Sequence, residues 1–64
     1  MQDFQQRVIT EENELSEKLE KLVAFLATDI FESLPLDEQE RLEIQLHHMD
    51  GYQSALKNRI AAFT

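Results

Sequence analysis

The chain has no cysteine and no tryptophan, one glycine and one proline among its 64 residues. Without cysteine, disulfide stapling and thiolate chemistry are excluded, and nothing points to an oxidising compartment. Without a glycine-rich loop there is no phosphate cradle of the nucleotide-binding type. A single glycine and a single proline also leave little turn chemistry, so few chain reversals are expected. The longest apolar run, Leu22-Val23-Ala24-Phe25-Leu26-Ala27, is far below the roughly 20 residues that span a bilayer. Met1-Gln2-Asp3-Phe4 carries neither a basic nor an apolar leader region, so a cytoplasmic protein that makes no membrane contact is expected.

Basic residues are also scarce. Thirteen acids face six lysines and arginines, for a formal net charge of −7. Every acid lies between Asp3 and Asp50, whereas Lys57 and Arg59 are the only charges from Gly51 onward. Such a surface repels phosphate backbones, which excludes nonspecific nucleic-acid binding. It suits docking to a basic patch on another protein.

What the chain does contain is leucine at helical spacing. Val8, Leu15, Leu19, Leu22 and Leu26 recur at intervals of seven, four, three and four, the stripe of an amphipathic helix. In heptad terms Val8, Leu15 and Leu22 hold d while Leu19 and Leu26 hold a, with Glu12 interrupting at a. Phe4 extends the stripe toward the N-terminus. This predicts a helix over about 3–27, with Thr10 as a competing N-cap that would leave 1–9 as an arm. Residues 28–36 form a corner, where Asp29 and Glu32 resemble a capping box. A helical turn there is expected to aim Ile30, Phe31 and Leu34 inward, and Pro35 to stop it. In the second helix, about 37–63, Leu42, Met49, Leu56 and Phe63 hold d, Leu46 and Ile60 hold a, and Gln53 is polar at a. Asp50-Gly51 threatens continuity, but the d stripe runs through it in register. The reading is a single all-α domain over 1–64, an antiparallel helical hairpin with a short helical corner.

Two helices packed on one seam bury one face each, and at this length a single core supplies only roughly 3–5 kcal/mol. Ile9, Val23, Phe25, Ile44 and Tyr52 all fall off the seam. They are read as a second, partner-binding surface. The hairpin is therefore expected to assemble with itself into a four-helix bundle or a larger homo-oligomer, with Gln53 setting register or facing solvent near a splayed end.

Arg7-Val8-Ile9, Glu14-Leu15, Lys18, Lys21-Leu22, Phe25, Phe31-Glu32-Ser33-Leu34-Pro35, Glu38-Gln39, Gln45, Met49, Tyr52, Leu56 and Arg59-Ile60 together resemble a family of small bacteriophage proteins related to those of crAss-like phages. The resemblance covers nearly the whole chain and departs at Asp50-Gly51. It implies a phage or prophage origin and a helical hairpin, and it carries over no activity, cofactor or catalytic residue.

Candidate chemistry is sparse. Glu43, His47 and Asp50 share one face at spacings of four and three, but metal sites in bundles draw ligands from several helices. They read as a solvated polar face, so no metal and no other cofactor is expected. A hairpin encloses no pocket of the usual 300 Å³ or more, and no nucleophile–base cluster is present, which argues against an enzyme. The acids from Glu11 to Glu20 read as an exposed face neutralised by Glu14–Lys18 and Glu17–Lys21. Tyr52, Lys57 and Arg59 are the one basic and aromatic grouping and could hold a small nucleotide; the alternative has Arg59 paired with Asp3 or Glu11. Three functions follow. The first is a phage accessory protein that binds and inhibits a host protein, possibly a defence component. The others are a sponge for a signalling nucleotide and a structural self-assembling protein.

Overall fold

The computed structural model describes residues 2–63, and Met1 and Thr64 lie outside them. Three helices follow one another: α1 (Asp3–Leu26), α2 (Asp29–Ser33) and α3 (Leu36–Ala61). The long helices α1 and α3 pack antiparallel into a rod of 46 × 15 × 13 Å, with α2 closing one end. There is no strand among the described residues. The expected helical hairpin is therefore present, with element ends within two residues of those read from the leucine spacing.

Gln2 caps α1, and its N–H donates to the Gln5 side chain at 2.9 Å. Thr10 lies in mid-helix, so the described residues before it form no separate arm. Gly51 sits inside α3 at a negative φ, and a Cβ there would meet nothing within 4 Å. The helix is continuous through it, as the unbroken d stripe requires.

The corner departs from expectation in two respects. Its N-cap is Thr28, one residue ahead of Asp29: the Thr28 hydroxyl accepts from the Phe31 N–H at 3.2 Å and donates to the Phe25 carbonyl at 2.6 Å. A hydroxyl that both accepts and donates ties the end of α1 to the start of α2. Second, Phe31 is buried and Leu34 half-buried, but Ile30 is 65% exposed. Adjacent residues on a helix point about 100° apart, so this turn buries Phe31 against the hairpin and turns Ile30 away, while Leu34 lies past the helix as its extended C-cap. Gln39 secures the other side, its amide donating to the carbonyls of Glu32 at 3.2 Å and Leu34 at 2.9 Å. Those are orphan carbonyls at the end of α2.

The core is thin. Val8, Leu15, Leu19 and Leu56 form the buried cluster, flanked by Leu46, Met49, Ile60 and Phe63. Leu56 is the most enclosed at 1% exposure. Phe4 meets Phe63 edge-on at 6.0 Å where the two ends of the chain come together, and Phe25 meets Phe31 edge-on at 6.2 Å at the corner.

Candidate functional site: two grooves on a polar-stitched seam

The two polar a positions meet each other. The Gln53 amide donates across the seam to Ser16 Oγ at 2.6 Å and lies 3.4 Å from Glu12 Oε1, and the Ser16 hydroxyl donates to the same carboxylate at 2.9 Å. All three side chains are half-buried. Gln53 thus faces Glu12 and Ser16 of α1 and is no free solvent-facing residue, so the interruptions of the two stripes are partners. A shifted register would leave these groups without partners in a half-dry setting, which costs about 1–3 kcal/mol for each such group.

Helical phase, at about 100° per residue, divides the side chains between two flanks of the seam. On one flank α1 presents Arg7, Glu11 and Glu14, and α3 presents Tyr52 and Arg59. An open groove of about 680 Å³ runs there near the chain ends, lined by Asp3, Gln6, Arg7, Thr10, Glu14 and Arg59 among others. Tyr52 borders it, its hydroxyl donating to the Glu11 carboxylate. That hydrogen bond holds the phenol above its ordinary pKa, helped by partial desolvation and by the negative charge of Glu11, while Arg59 opposes the shift.

On the other flank a second open groove of about 540 Å³ lies further toward the middle of the rod. Its floor is more apolar, with Leu19, Val23, Ala24 and Leu46, edged by Glu20, Asp50 and Lys57. Both grooves are open, and both are larger than the roughly 300 Å³ of a usual pocket, so these flanks are more deeply grooved than the sequence reading allowed.

The five residues read as one contact surface are divided. Ile9 and Val23 flank the second groove; Phe25, Ile44 and Tyr52 fall on the first flank. Val23, Ile44 and Tyr52 are exposed, whereas Ile9 is half-buried and Phe25 is half-buried against Phe31. Of the three anion-contact candidates, Tyr52 and Arg59 share the first flank and Lys57 lies on the other.

Arg59 makes no ion pair with Asp3 or Glu11: among the described residues the ion pairs within 4 Å are those of Arg41 with Asp37 and Glu38. The same holds for Arg7 and for the expected Glu14–Lys18 and Glu17–Lys21 pairs. Sequence reading passed over Arg7 as a ligand residue. Arg7 and Arg59 line the same groove because of the register between the helices, which the spacing within either helix does not carry. Among the described residues no three His, Asp or Glu side chains converge as a metal site, so Glu43, His47 and Asp50 form no such cluster. Nor is any helix among them long and apolar enough to cross a membrane.

The fold and its grooves define a class: a small acidic helical hairpin with open grooves on both sides of its seam. A family model described as Sequestin matches residues 2–62, and the chain belongs to the Sequestin family. No curated protein and no solved structure matches it.

Proposed function

We propose that this protein works by holding a ligand out of circulation, stoichiometrically and without chemical turnover, and that the ligand is a small phosphate-bearing molecule of the nucleotide class. The observation that carries this reading is the first groove, where Arg7 and Arg59 line one open cleft with no carboxylate of the described residues within ion-pair distance. Guanidinium groups matched to phosphate oxygens form strong, geometrically specific hydrogen bonds. Asp3 and Glu14 on the same walls can accept from sugar hydroxyls or a base amino group. Tyr52 at the rim offers an aromatic face for stacking. The family description supports the sequestering role. An open groove offers little desolvation for acid–base chemistry, which supports binding over catalysis. Homo-oligomerisation through another face is compatible with this reading, and a phage origin fits a protein made to remove a host signal.

Calorimetry against cyclic mono- and dinucleotides tests this reading. Binding is expected with at least one of them, weakened tenfold or more by Arg59→Ala and by Arg7→Ala. The ligand should be recovered unaltered after the protein is denatured. No heat with any nucleotide, or a ligand returned chemically changed, removes the proposal.

A host protein as the sequestered partner is favoured by the corner, where Ile30 and Leu36 are 65% and 81% exposed amid acids. Exposed apolar side chains ringed by one sign of charge suit a basic protein surface. Capture of one host protein, lost in Leu36→Glu but kept in Arg59→Ala, would favour that reading over the nucleotide.

A further inference from the structure

The second groove has no occupant within the chain, and the molecule carries more surface than its mass warrants. Its accessible area is 4931 Å², against about 4,200 Å² for a compact monomer of 7.5 kDa. The excess, about 700 Å², approaches the roughly 800 Å² that each partner loses in an interface of standard size. The radius of gyration says the same: 14.8 Å here, against about 11 Å for a compact chain of this length.

Charge then selects a mode of pairing. In the half of the rod nearest the chain ends, four acids face Arg7, Lys57 and Arg59, for a net −1. In the half nearest the corner, residues 17–50, nine acids face Lys18, Lys21 and Arg41, for a net −6. Side-by-side copies pointing the same way would set −6 against −6. Antiparallel copies set −6 against −1 at both ends, which relieves most of the repulsion.

We infer that a second copy of this chain docks antiparallel over the groove lined by Leu19, Val23, Ala24 and Leu46, closing a four-helix bundle. The inference adds a face and a direction to the homo-oligomer proposed above and does not depend on the nucleotide. The seam fixes how the copies meet. Gln53 lies beside Ser16 and Glu12, so Lys57, one turn further along α3, stands near the level of Ile9 on α1. A two-fold axis through the middle of the rod exchanges that level with the level of Glu20. The axis lays α3 over α3 and α1 over α1, so Lys57 of each copy lies over residues 46–50 of the other, and Val23 faces the Ile9 region. Ser16 and Gln53, on the groove wall, become more deeply buried with their hydrogen bonds already satisfied. The groove with Arg7 and Arg59 stays open on the outer flank.

Sedimentation equilibrium and light scattering should give twice the 7.5 kDa chain mass. Val23→Glu should return the protein to monomer with its helicity by circular dichroism kept, since Val23 is 54% exposed and outside the core. Ile44→Glu, on the opposite flank, should leave the mass unchanged. Lys57→Glu should weaken the dimer tenfold or more, and adding Asp50→Lys should restore it. With a spin label on Glu32→Cys, at the corner end of the rod, the two labels should lie closer to the 46 Å length of the rod than to its 15 Å width. The inference is overturned by a monomeric wild type, by an assembly larger than a dimer, by a dimer indifferent to Val23→Glu, by loss of the dimer in Ile44→Glu, or by a short label distance. Nucleotide binding measured on the same Val23→Glu monomer separates this inference from the function proposed for the other groove.

Discussion

The two ends of the rod are held together by different means. At the corner, the hydrogen bonds that shape the chain join residues three to seven positions apart: Thr28 to Phe25 and Phe31, Gln39 to Glu32 and Leu34. At the chain ends, the side-chain bonds join residues 37 to 41 positions apart: Tyr52 to Glu11, Gln53 to Ser16 and Glu12. Local bonds cost little loop-closure entropy, whereas the distant ones form only after both helices are in place. The corner is therefore a self-contained clamp, and the far end is a consequence of packing. The apolar cluster leans the same way, since Val8, Leu15 and Leu56 lie in the half nearest the chain ends and Leu19 just past the middle, while Phe31 stands outside it.

The largest effects should come from breaking the packed end. Leu56 is the most enclosed side chain, and Leu56→Ala should cost about 3–4 kcal/mol. For a chain of this size that is most of the available stability, so the variant should be largely unfolded by circular dichroism at 25 °C. Phe31→Ala should cost less, about 3 kcal/mol, at the low end for such truncations because Phe31 sits outside the main cluster. A urea series in which Phe31→Ala proves the more damaging would reverse the comparison. Thr28→Ala removes the N-cap of α2 and should cost about 1 kcal/mol. Amide exchange should then quicken at Phe31 and its neighbours while the protons of α1 around Leu15 keep their protection. Uniform loss of protection would show that the corner is not a separate clamp.

The leucine stripes made the hairpin legible, because Val8, Leu15, Leu19 and Leu56 follow heptad spacing on both helices and no competing pattern exists. The continuity of α3 through Gly51 was legible for the same reason. Two kinds of feature were not. The cap at Thr28 was missed because Thr28 and Asp29 are both good N-caps and spacing alone does not choose; the hydroxyl prevails because it can also donate to Phe25 O. The meeting of Glu12, Ser16 and Gln53 was missed because each was judged within its own helix. Pairing depends on the relative shift of two helices, and a one-sided stripe leaves that shift undetermined by a turn or so. The same ignorance of shift hid the proximity of Arg7 to Arg59 and made five off-seam residues look like one surface. Helical phase within each stripe was readable, but their relation across the seam required the structure.

Gly51 lies in the packed half yet touches nothing, which makes it a probe of helix propensity alone. Gly51→Ala adds a Cβ into open space at a helical φ and should stabilise the protein by about 0.5–1 kcal/mol. An increase in urea midpoint with an unchanged slope is the expected result. A loss of stability would mean that α3 bends at Gly51 in solution and that the far end is less regular than the corner.

The smallest effect concerns the far end alone and is the easiest to isolate, since Tyr52 is the one tyrosine in the chain. Its hydrogen bond to Glu11 raises the phenol pKa, so the folded protein holds this proton more tightly than the unfolded one. The contribution to stability is therefore complete below about pH 10, the usual phenol value, and disappears as the pH climbs through the raised folded value. Absorbance of the phenolate should rise later than for a free tyrosine, and urea should abolish the delay. Glu11→Gln should move the titration back toward the ordinary value, because it removes the negative charge and replaces the carboxylate with a weaker acceptor. Arg59→Ala should move it the opposite way, since Arg59 is the group that opposes the shift. Thr28→Ala should leave the curve where it is. A titration that followed the corner variant as closely as the Glu11 variant would mean that the two ends report on each other, and the division between clamp and packed end would have to be abandoned.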